Sequence, residues 1–387
     1  MYTVILKKNE EKRVLHHPWI YANEVASIEG KDKQGSIACV RAADGRLIGY
    51  GFINHLSKIL VRLVSRREET FDQAFFAERI REANEFRLSL GYREAYRVVF
   101  AESDRLPGLI VDKYGDYLSV QFLCLGMDVR KQMIVDVLVD TFAPKGIYER
   151  SDVSVRTKEG LEPRKGLLWG EVPELVMIEE NGVHLAVDIV NGQKTGYFLD
   201  QQENRLNLAR YAKDKTVLDC FCNAGGFSMV AAKAGAKSVT AVDISQTALA
   251  SVAYSAEQNG FDCIQTVQAD VFEWLRAARK EGKRYDVIVL DPPAFIKTKE
   301  AVKQGIAGYR DVNINALKLL SKGGVLITCS CSQHLTLPLF MQMVEDSVKQ
   351  AGVPCRMLEL RTQGRDHAPL VASEETLYLK VAVLKAD

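Results

Sequence analysis

The sequence predicts an α/β chain in three parts: an N-terminal β-barrel over residues 1–70, an α+β middle domain over 71–185, and a doubly wound domain over 186–387. Three observations predict it. After Val217, apolar strand-like runs alternate with helical spacing, and several of them end in Asp or Cys. In the first part, the short alternating runs IACVRAADGRLIGYGFI and KILVRLV are broken by Gly30, Gly35, Gly45, Gly49 and Gly51. In the middle, Phe71 to Leu90 carries helical apolar spacing, then come expected strands at 97–101, 108–112 and 117–124, a helix near 127–142, and further strands to about 190.

The run VLDCFCNAGGFSMVAAKAGAKSVTAVDIS from Val217 to Ser245 narrows the chemistry most. It reads as a buried strand, a tight turn at Ala224-Gly225-Gly226, a helix opening at Phe227, and a second strand ending in Asp243. A carboxylate at that second strand end can accept both hydroxyls of a ribose. The G-x-G-x-x-G fingerprint of dinucleotide folds is absent, and Asp219 at the glycine turn would repel a pyrophosphate but attract an ammonium group. S-adenosyl-L-methionine has the ribose and the ammonium and no phosphate, with S-adenosyl-L-homocysteine as its product. The cofactor-facing set expected from this run is Asp219, Phe221, Asn223, Ala224, Gly225, Gly226, Asp243, Ile244 and Ser245.

Residues 264–269 read as a third strand, and Asp270 at its end can accept from an adenine amino group, cap the helix opening at Val271, or do both. Tyr285 to Leu290 is a fourth strand, stopped by Asp291-Pro292-Pro293-Ala294-Phe295. Two prolines after a buried strand hold the loop over the sheet edge, where open α/β sheets bind ligands. Methyltransferases acting on bases commonly carry a D/N-P-P-aromatic loop here, so Pro292, Pro293 and Phe295 are expected at the substrate; a plain turn is the alternative. Gly324 to Thr328 is a fifth strand running into Cys329-Ser330-Cys331-Ser332. Carbon 5 of cytosine is too weak a nucleophile to take a methyl group unaided, and a thiolate added to carbon 6 makes it enamine-like. Cys331 and Asp291 are the expected catalytic pair, Cys329 packs as a small hydrophobe, and an inert buried Cys331 is the competing reading.

Two Cys-x-Cys pairs, 220/222 and 329/331, invite a metal reading that their spacing does not support, since strands one and five are not neighbours in this fold class. No metal is expected. The six histidines show no ligand spacing, and none receives a catalytic role.

With these motifs in view, the chain resembles the cytosine-5 methyltransferases of large-subunit ribosomal RNA over essentially its whole length. The resemblance is carried by HPWIYANEV at 17–25, FAESDRLPGLIVDKYGDYL at 100–118, YERSD at 148–152 and GQKTGYFLDQQENR at 192–205. It continues through LDCFCNAGGFS, DPPAF, GYRDVNINAL at 308–317 and SCS at 330–332. It implies a Rossmann-like class I methyltransferase domain behind a PUA-like RNA-binding module. It places Cys331 on the family's nucleophile, Asp291 on its base-facing acid, and Asp219, Asp243 and Asp270 on its cofactor-binding acids. It also implies that the segment holding Lys194 and Asp200 folds over the cofactor, with Asp200, Val271 and Asp291 added to the cofactor set and Lys194 to the substrate set. Relatives usually read L-D-Q-R in that segment, whereas here Asp200-Gln201 is followed by Gln202. Two rival readings stay open: a guanine or exocyclic-amine RNA methyltransferase with a structural Cys331, and a non-catalytic ribosome-assembly factor that retains the pocket.

Charge and composition bound the rest. A net charge of +1 on 387 residues excludes a strongly basic whole-protein field, so RNA, the expected partner, must be held by local patches. Residues 1–70 carry twelve Lys or Arg against eight Asp or Glu. Trp19 there either stacks on a base or belongs to the core. Arg105-Leu106-Pro107-Gly108 and Tyr148-Glu149-Arg150 look exposed and are read as either RNA contacts or turn and ion-pair chemistry. No run of about eighteen apolar residues argues for a membrane span. Eight cysteines without a secretory leader read as reduced thiols, and the expected location is cytoplasmic. A homodimer is left open.

Overall fold

Alternation in the first part resolves into six strands in the computed structural model, which describes residues 1–387. They are β1 (Tyr2–Leu6), β2 (Trp19–Tyr21), β3 (Val25–Glu29), β4 (Ile37–Arg41), β5 (Leu47–Ile53) and β6 (Ile59–Ser65), with a one-turn helix α1 (Glu11–Val14) after β1. Their order is β2-β6-β5-β4-β1-β3, antiparallel except for β1 beside β4. Val4, Leu6, Ile20, Val40, Ile53 and Val61 fill its core with no exposed surface. Gly51 is required where β5 passes β6, because a Cβ there would lie 2.2 Å from the Arg62 carbonyl oxygen.

Next comes α2 (Gln73–Ser89), capped by Asp72, whose carboxylate accepts from the Phe75 amide. A five-stranded sheet follows: β7 (Ala95–Phe100), β8 (Leu109–Tyr114), β9 (Tyr117–Phe122), β10 (Gly146–Ser151) and β11 (Arg164–Gly170), in the order β11-β10-β9-β8-β7. The helix expected near 127–142 is two pieces, α3 (Leu125–Asp128) and α4 (Lys131–Phe142). Between them Arg130 leaves helical geometry, and its guanidinium donates to the carbonyls of Gly126 and Gly35. Phe76, Ile80, Val98, Val111, Val120, Ile134 and Leu138 make the shared core of α2, α4 and this sheet.

The chain divides into two compact units, the first comprising Met1–Val176, Asp188–Phe198 and Arg365–Thr376, the second Met177–Val187, Leu199–Gly364 and Leu377–Asp387. In the first, Thr195 donates to Asp112, which also takes a two-point ion pair from Arg97, and Asp366 accepts from the Arg97 amide. Two expectations are corrected there. Glu149 and Arg150 looked exposed and are buried, Glu149 holding Lys131 and Arg150 holding Asp152 and the carbonyls of Ile189 and Gly192. Leu106 is likewise buried, while Arg105 is exposed and pairs with Glu82.

The second unit opens at Met177, within β12 (Val176–Glu180), which pairs with β13 (Val183–Val187) in a two-stranded sheet, followed by α5 (Gln202–Ala212). Its main sheet has seven strands: β14 (Thr216–Cys220), β15 (Ser238–Asp243), β16 (Ile264–Gln268), β17 (Tyr285–Leu290), β18 (Leu320–Ser330), β19 (Cys355–Arg361) and β20 (Lys380–Ala386). The order is β16-β15-β14-β17-β18-β20-β19; the first five are parallel and β20 runs antiparallel to both neighbours. Residues alternate between faces. Leu218, Ile288, Leu290 and Leu326 pack beneath α8 (Val271–Lys280), α9 (Val302–Leu317) and α10 (Leu337–Ala351), while Val217, Val287, Val289 and Ile327 pack beneath α5 and α6 (Gly226–Lys233). Helix α7 (Gln246–Asn259) carries β13, through Ser255 on the Ala186 amide and Asn259 on both backbone groups of His184.

Candidate active site

Five parallel strands end at one edge of the seven-stranded sheet, and each end carries a polar group. Directly after β14 the backbone takes left-handed conformations at Phe221, Asn223 and Gly225, with φ of 61°, 48° and 78°. Only at Gly225 is glycine demanded twice over, since a Cβ would also meet the Val252 side chain at 2.8 Å. The turn is fastened to β15: the Cys222 amide donates to the Val242 carbonyl, and the Asn223 amide donates 3.0 Å to Asp243 Oδ2. Asp243 Oδ1 takes the Ser245 amide at 2.9 Å, so this half-buried carboxylate is held rigidly at the strand end. Beside it, the Ile244 side chain is 68% exposed, an apolar surface of the kind an adenine ring covers. Ser245 caps α7, and Asp270 caps α8 by accepting from the Glu273 amide at 3.1 Å; Val271 points into the core. Ala224 and Gly226 are buried in the turn and the first residue of α6.

Asp219 is fully buried. Its Oδ2 accepts from both the amide and the hydroxyl of Ser228, at 3.0 and 2.7 Å, whereas Oδ1 has no hydrogen-bond partner. Burial, with the charge of Asp291 adding to it, outweighs the Ser228 bonds and pushes the carboxyl up to about 7. A buried carboxylate oxygen without a donor is costly, and a cationic ligand would satisfy it. The orphaned Asp219 oxygen, the oriented Asp243 carboxylate and the apolar Ile244 surface together fit S-adenosylmethionine.

Asp291 follows β17, and its Oδ1 accepts from the Gln201 side chain at 2.9 Å. Gln201 is itself oriented by Asn204, whose side-chain amide donates to Gln201 Oε1. The adjacent Asp200 accepts from the Tyr378 hydroxyl at 2.7 Å and is buried. In the loop after Asp291, Pro292 is buried and Pro293 exposed. Phe295 is half-buried, and its ring lies 4.7 Å from Tyr309, 5.6 Å from Phe272 and 6.2 Å from Phe221, so much of its surface is spent on protein.

Leu290 pairs in register with Thr328, which puts Asp291 and the SCS turn at the ends of adjacent strands. Cys329 is fully buried and packed with Val289 and Val381, and burial holds its thiol well above the ordinary range. Cys331, two residues on, is half-buried. Ser332 beside it takes the Ile296 amide at 3.1 Å and shares a 2.9 Å hydrogen bond with the Tyr309 hydroxyl, joining the SCS turn to the proline loop. From β20, Lys380 donates to the Ser332 carbonyl. Tyr309, Gln201 and Lys380 were not identified as site residues from the sequence. Tyr309 lies within the GYRDV segment, but nothing in the chain's local pattern points to Gln201 or Lys380.

In the first unit, Lys194 is exposed on a turn closed by the Gly196 amide on the Gln193 carbonyl, with its ammonium 4.3 Å from the centre of the Phe198 ring. Trp19 is half-buried; its indole donates to Glu102 at 2.8 Å and stacks under Arg62. No helix is long and apolar enough to cross a membrane.

Residues 159–355 match the S-adenosylmethionine-dependent methyltransferase family and residues 4–66 match a PUA-like domain. The chain is 43% identical over 391 residues to a ribosomal RNA large subunit methyltransferase I from Aeromonas salmonicida, covering 99% of each. It is 41% identical to the protein of that name from Vibrio cholerae, covering 97% of each. A solved structure provisionally described as a methyltransferase complexed with S-adenosylhomocysteine matches all of both chains with a TM-score of 0.85 at 25% identity. Another, from Streptococcus mutans, matches with a TM-score of 0.83 at 24% identity and shows the shared fold. The chain therefore belongs to the ribosomal RNA large subunit methyltransferase I family, S-adenosylmethionine-dependent methyltransferases with a PUA-like domain at the N-terminus.

Proposed function

We propose that this protein methylates carbon 5 of a cytosine in large-subunit ribosomal RNA, with Cys331 as the nucleophile. The carrying observation is the half-buried Cys331 at the tip of β18, one strand from Asp291 at the tip of β17 and on the same sheet edge as Asp219, Asp243 and Asp270. The RNA target follows from the names of its relatives and from the PUA-like domain.

When bound, S-adenosylmethionine supplies the methyl group in electrophilic form. Asp219 would hold its ammonium, Asp243 its ribose hydroxyls, Ile244 and Asp270 its adenine, with Phe221, Asn223, Ala224, Gly225, Gly226, Ser245 and Asp200 shaping the cradle; Val271, expected in this set, packs in the core instead. The target base must leave its stack to reach the sheet edge, and Pro292, Pro293 and Phe295 form the loop that would flank it, with Lys194 offering charge to the RNA backbone. The Cys331 thiolate then adds to carbon 6, a C–S bond forms, and the carbon 5–carbon 6 pair becomes available at carbon 5. Asp291 hydrogen-bonds nitrogen 3, which takes a proton from solvent as the thiolate adds and returns it when the thiolate leaves, and offsets the charge developing in the ring. After methylation, loss of the carbon 5 proton to a base restores the double bond and expels the thiolate, returning Cys331 to its starting form.

The test is methyl transfer from labelled S-adenosylmethionine to unmodified ribosomal RNA, with the product nucleoside identified by mass spectrometry. Labelled 5-methylcytidine is expected from the wild type and none from Cys331→Ala. Methylated guanosine surviving that substitution would replace the reading with a guanine-directed one. Intact cofactor binding without any transfer to large-subunit RNA would favour a non-catalytic assembly factor.

A further inference from the structure

Lys380 is the buried cation that the chemistry above leaves unused. It opens β20, pairs in register with Ser330 of β18, and is 6% exposed. Its ammonium donates 2.7 Å hydrogen bonds to two neutral acceptors, the carbonyls of Ser332 and Tyr378, and no carboxylate lies within ion-pair distance. Two carbonyls are a thin substitute for water around an ammonium, and burial accordingly pushes the amine down to about 8. Cys331 precedes the Ser332 whose carbonyl Lys380 holds, and as a thiolate it would favour the ammonium form against that burial. The coupling is reciprocal: whatever the thiolate does for the ammonium, the ammonium does for the thiolate.

We propose that Lys380 is a positioning residue for the nucleophile: its two carbonyl bonds fix the turn after Ser330, and its ammonium is the counterion of the Cys331 thiolate. This rests on Cys331 being the nucleophile. Other charges and titratable groups around that strand end are Tyr309 from α9, whose hydroxyl is raised chiefly by burial and also by Cys331, and the carboxyls of Asp291 and Asp200, which raise Cys329. The carboxylates oppose a thiolate at this edge, so a cation placed from β20 answers a specific need.

A purely structural Lys380 would tie β20 to the SCS turn without touching thiol chemistry, and the two roles separate experimentally. The full-length protein, Lys380→Met, Lys380→Gln and Lys380→Arg are treated with iodoacetamide across pH, and alkylation of Cys331 is followed by peptide mass spectrometry. The partly exposed Cys263 and Cys355 serve as internal references. Lys380→Met should move the Cys331 midpoint upward by about one pH unit or more, as loss of a close opposite charge does. Cys263 and Cys355 should not move. The acid limb of kcat/KM for methyl transfer should shift with the thiol, and Lys380→Arg should restore both. Lys380→Gln keeps a donor without the charge, so it gives the same upward shift if charge matters and reads the effect should the Met variant fold poorly. An unchanged Cys331 midpoint in a folded Met or Gln variant overturns the proposal. Methyl transfer retained by Cys331→Ala would sink the cysteine mechanism instead, a result independent of the alkylation profile.

Discussion

Asp219→Asn is the substitution for which the structure supplies a magnitude. The wild-type carboxyl moves from 3.8 in an ordinary environment to about 7 when folded, a raised value, so the folded state holds a proton that the unfolded chain releases between those limits. Stability from this group is therefore fully present below 3.8 and falls as pH rises through the window to 7, by about 1.4 kcal/mol per unit and about 4 kcal/mol in all. Asparagine does not titrate. Its oxygen can still accept from Ser228, but its amino group would replace the orphaned Oδ1 and cost about 1–3 kcal/mol. Cofactor-free Asp219→Asn should thus lose ground at pH 4, and the mutant-minus-wild-type difference should climb with pH until it levels above 7. The assay is urea unfolding in a Trp19→Phe, Trp169→Phe background, where Trp274 is the remaining indole and lies in the second compact unit. The same variant should bind S-adenosylhomocysteine about 10- to 100-fold more weakly, as expected for losing one charged hydrogen bond. Binding of 5′-methylthioadenosine, which lacks the amino-acid portion, should change little. A flat stability difference from pH 4 to 8 would refute the raised carboxyl, and equal losses for both ligands would refute the assignment of Asp219 to the ammonium.

Two further substitutions probe the frame of the site. Gly225→Ala forces a Cβ into a left-handed turn and against Val252, so it should cost about 2 kcal/mol or more and weaken S-adenosylhomocysteine over tenfold; calorimetric binding at wild-type affinity would contradict the turn geometry. Glu180→Ala removes the carboxylate whose two oxygens Arg205, 3% exposed, grips, so urea unfolding of the second unit should lose about 3–5 kcal/mol; a loss under about 1 kcal/mol would show the pair to be incidental.

Legibility tracks distance along the chain. Everything needed for the turn after β14 lies between Asp219 and Ser245, because a strand, a positive-φ glycine and a second strand are local events with local signatures. The carboxyls at strand ends were readable for the same reason: parallel strands of one sheet necessarily finish on one edge. What the sequence hid depends on partners far away. Glu149 and Arg150 look like surface charge until Lys131, Asp152 and the 189–192 backbone close around them. The segment 365–376 leaves the second unit because Asp366 is wanted by Arg97 and Arg87, more than 260 residues earlier. β19 is illegible in the sequence because it is an edge strand with Met357, Leu358 and Leu360 all exposed, which erases the alternation that marks a half-buried strand. Lys380 belongs to this hidden class. In sequence it is one lysine before an apolar run; in the fold, antiparallel pairing with β18 delivers it to the turn that carries Cys331. A motif such as SCS is thus legible from neighbouring residues, while the lysine that holds its turn arrives from a strand about fifty residues later, through sheet register alone.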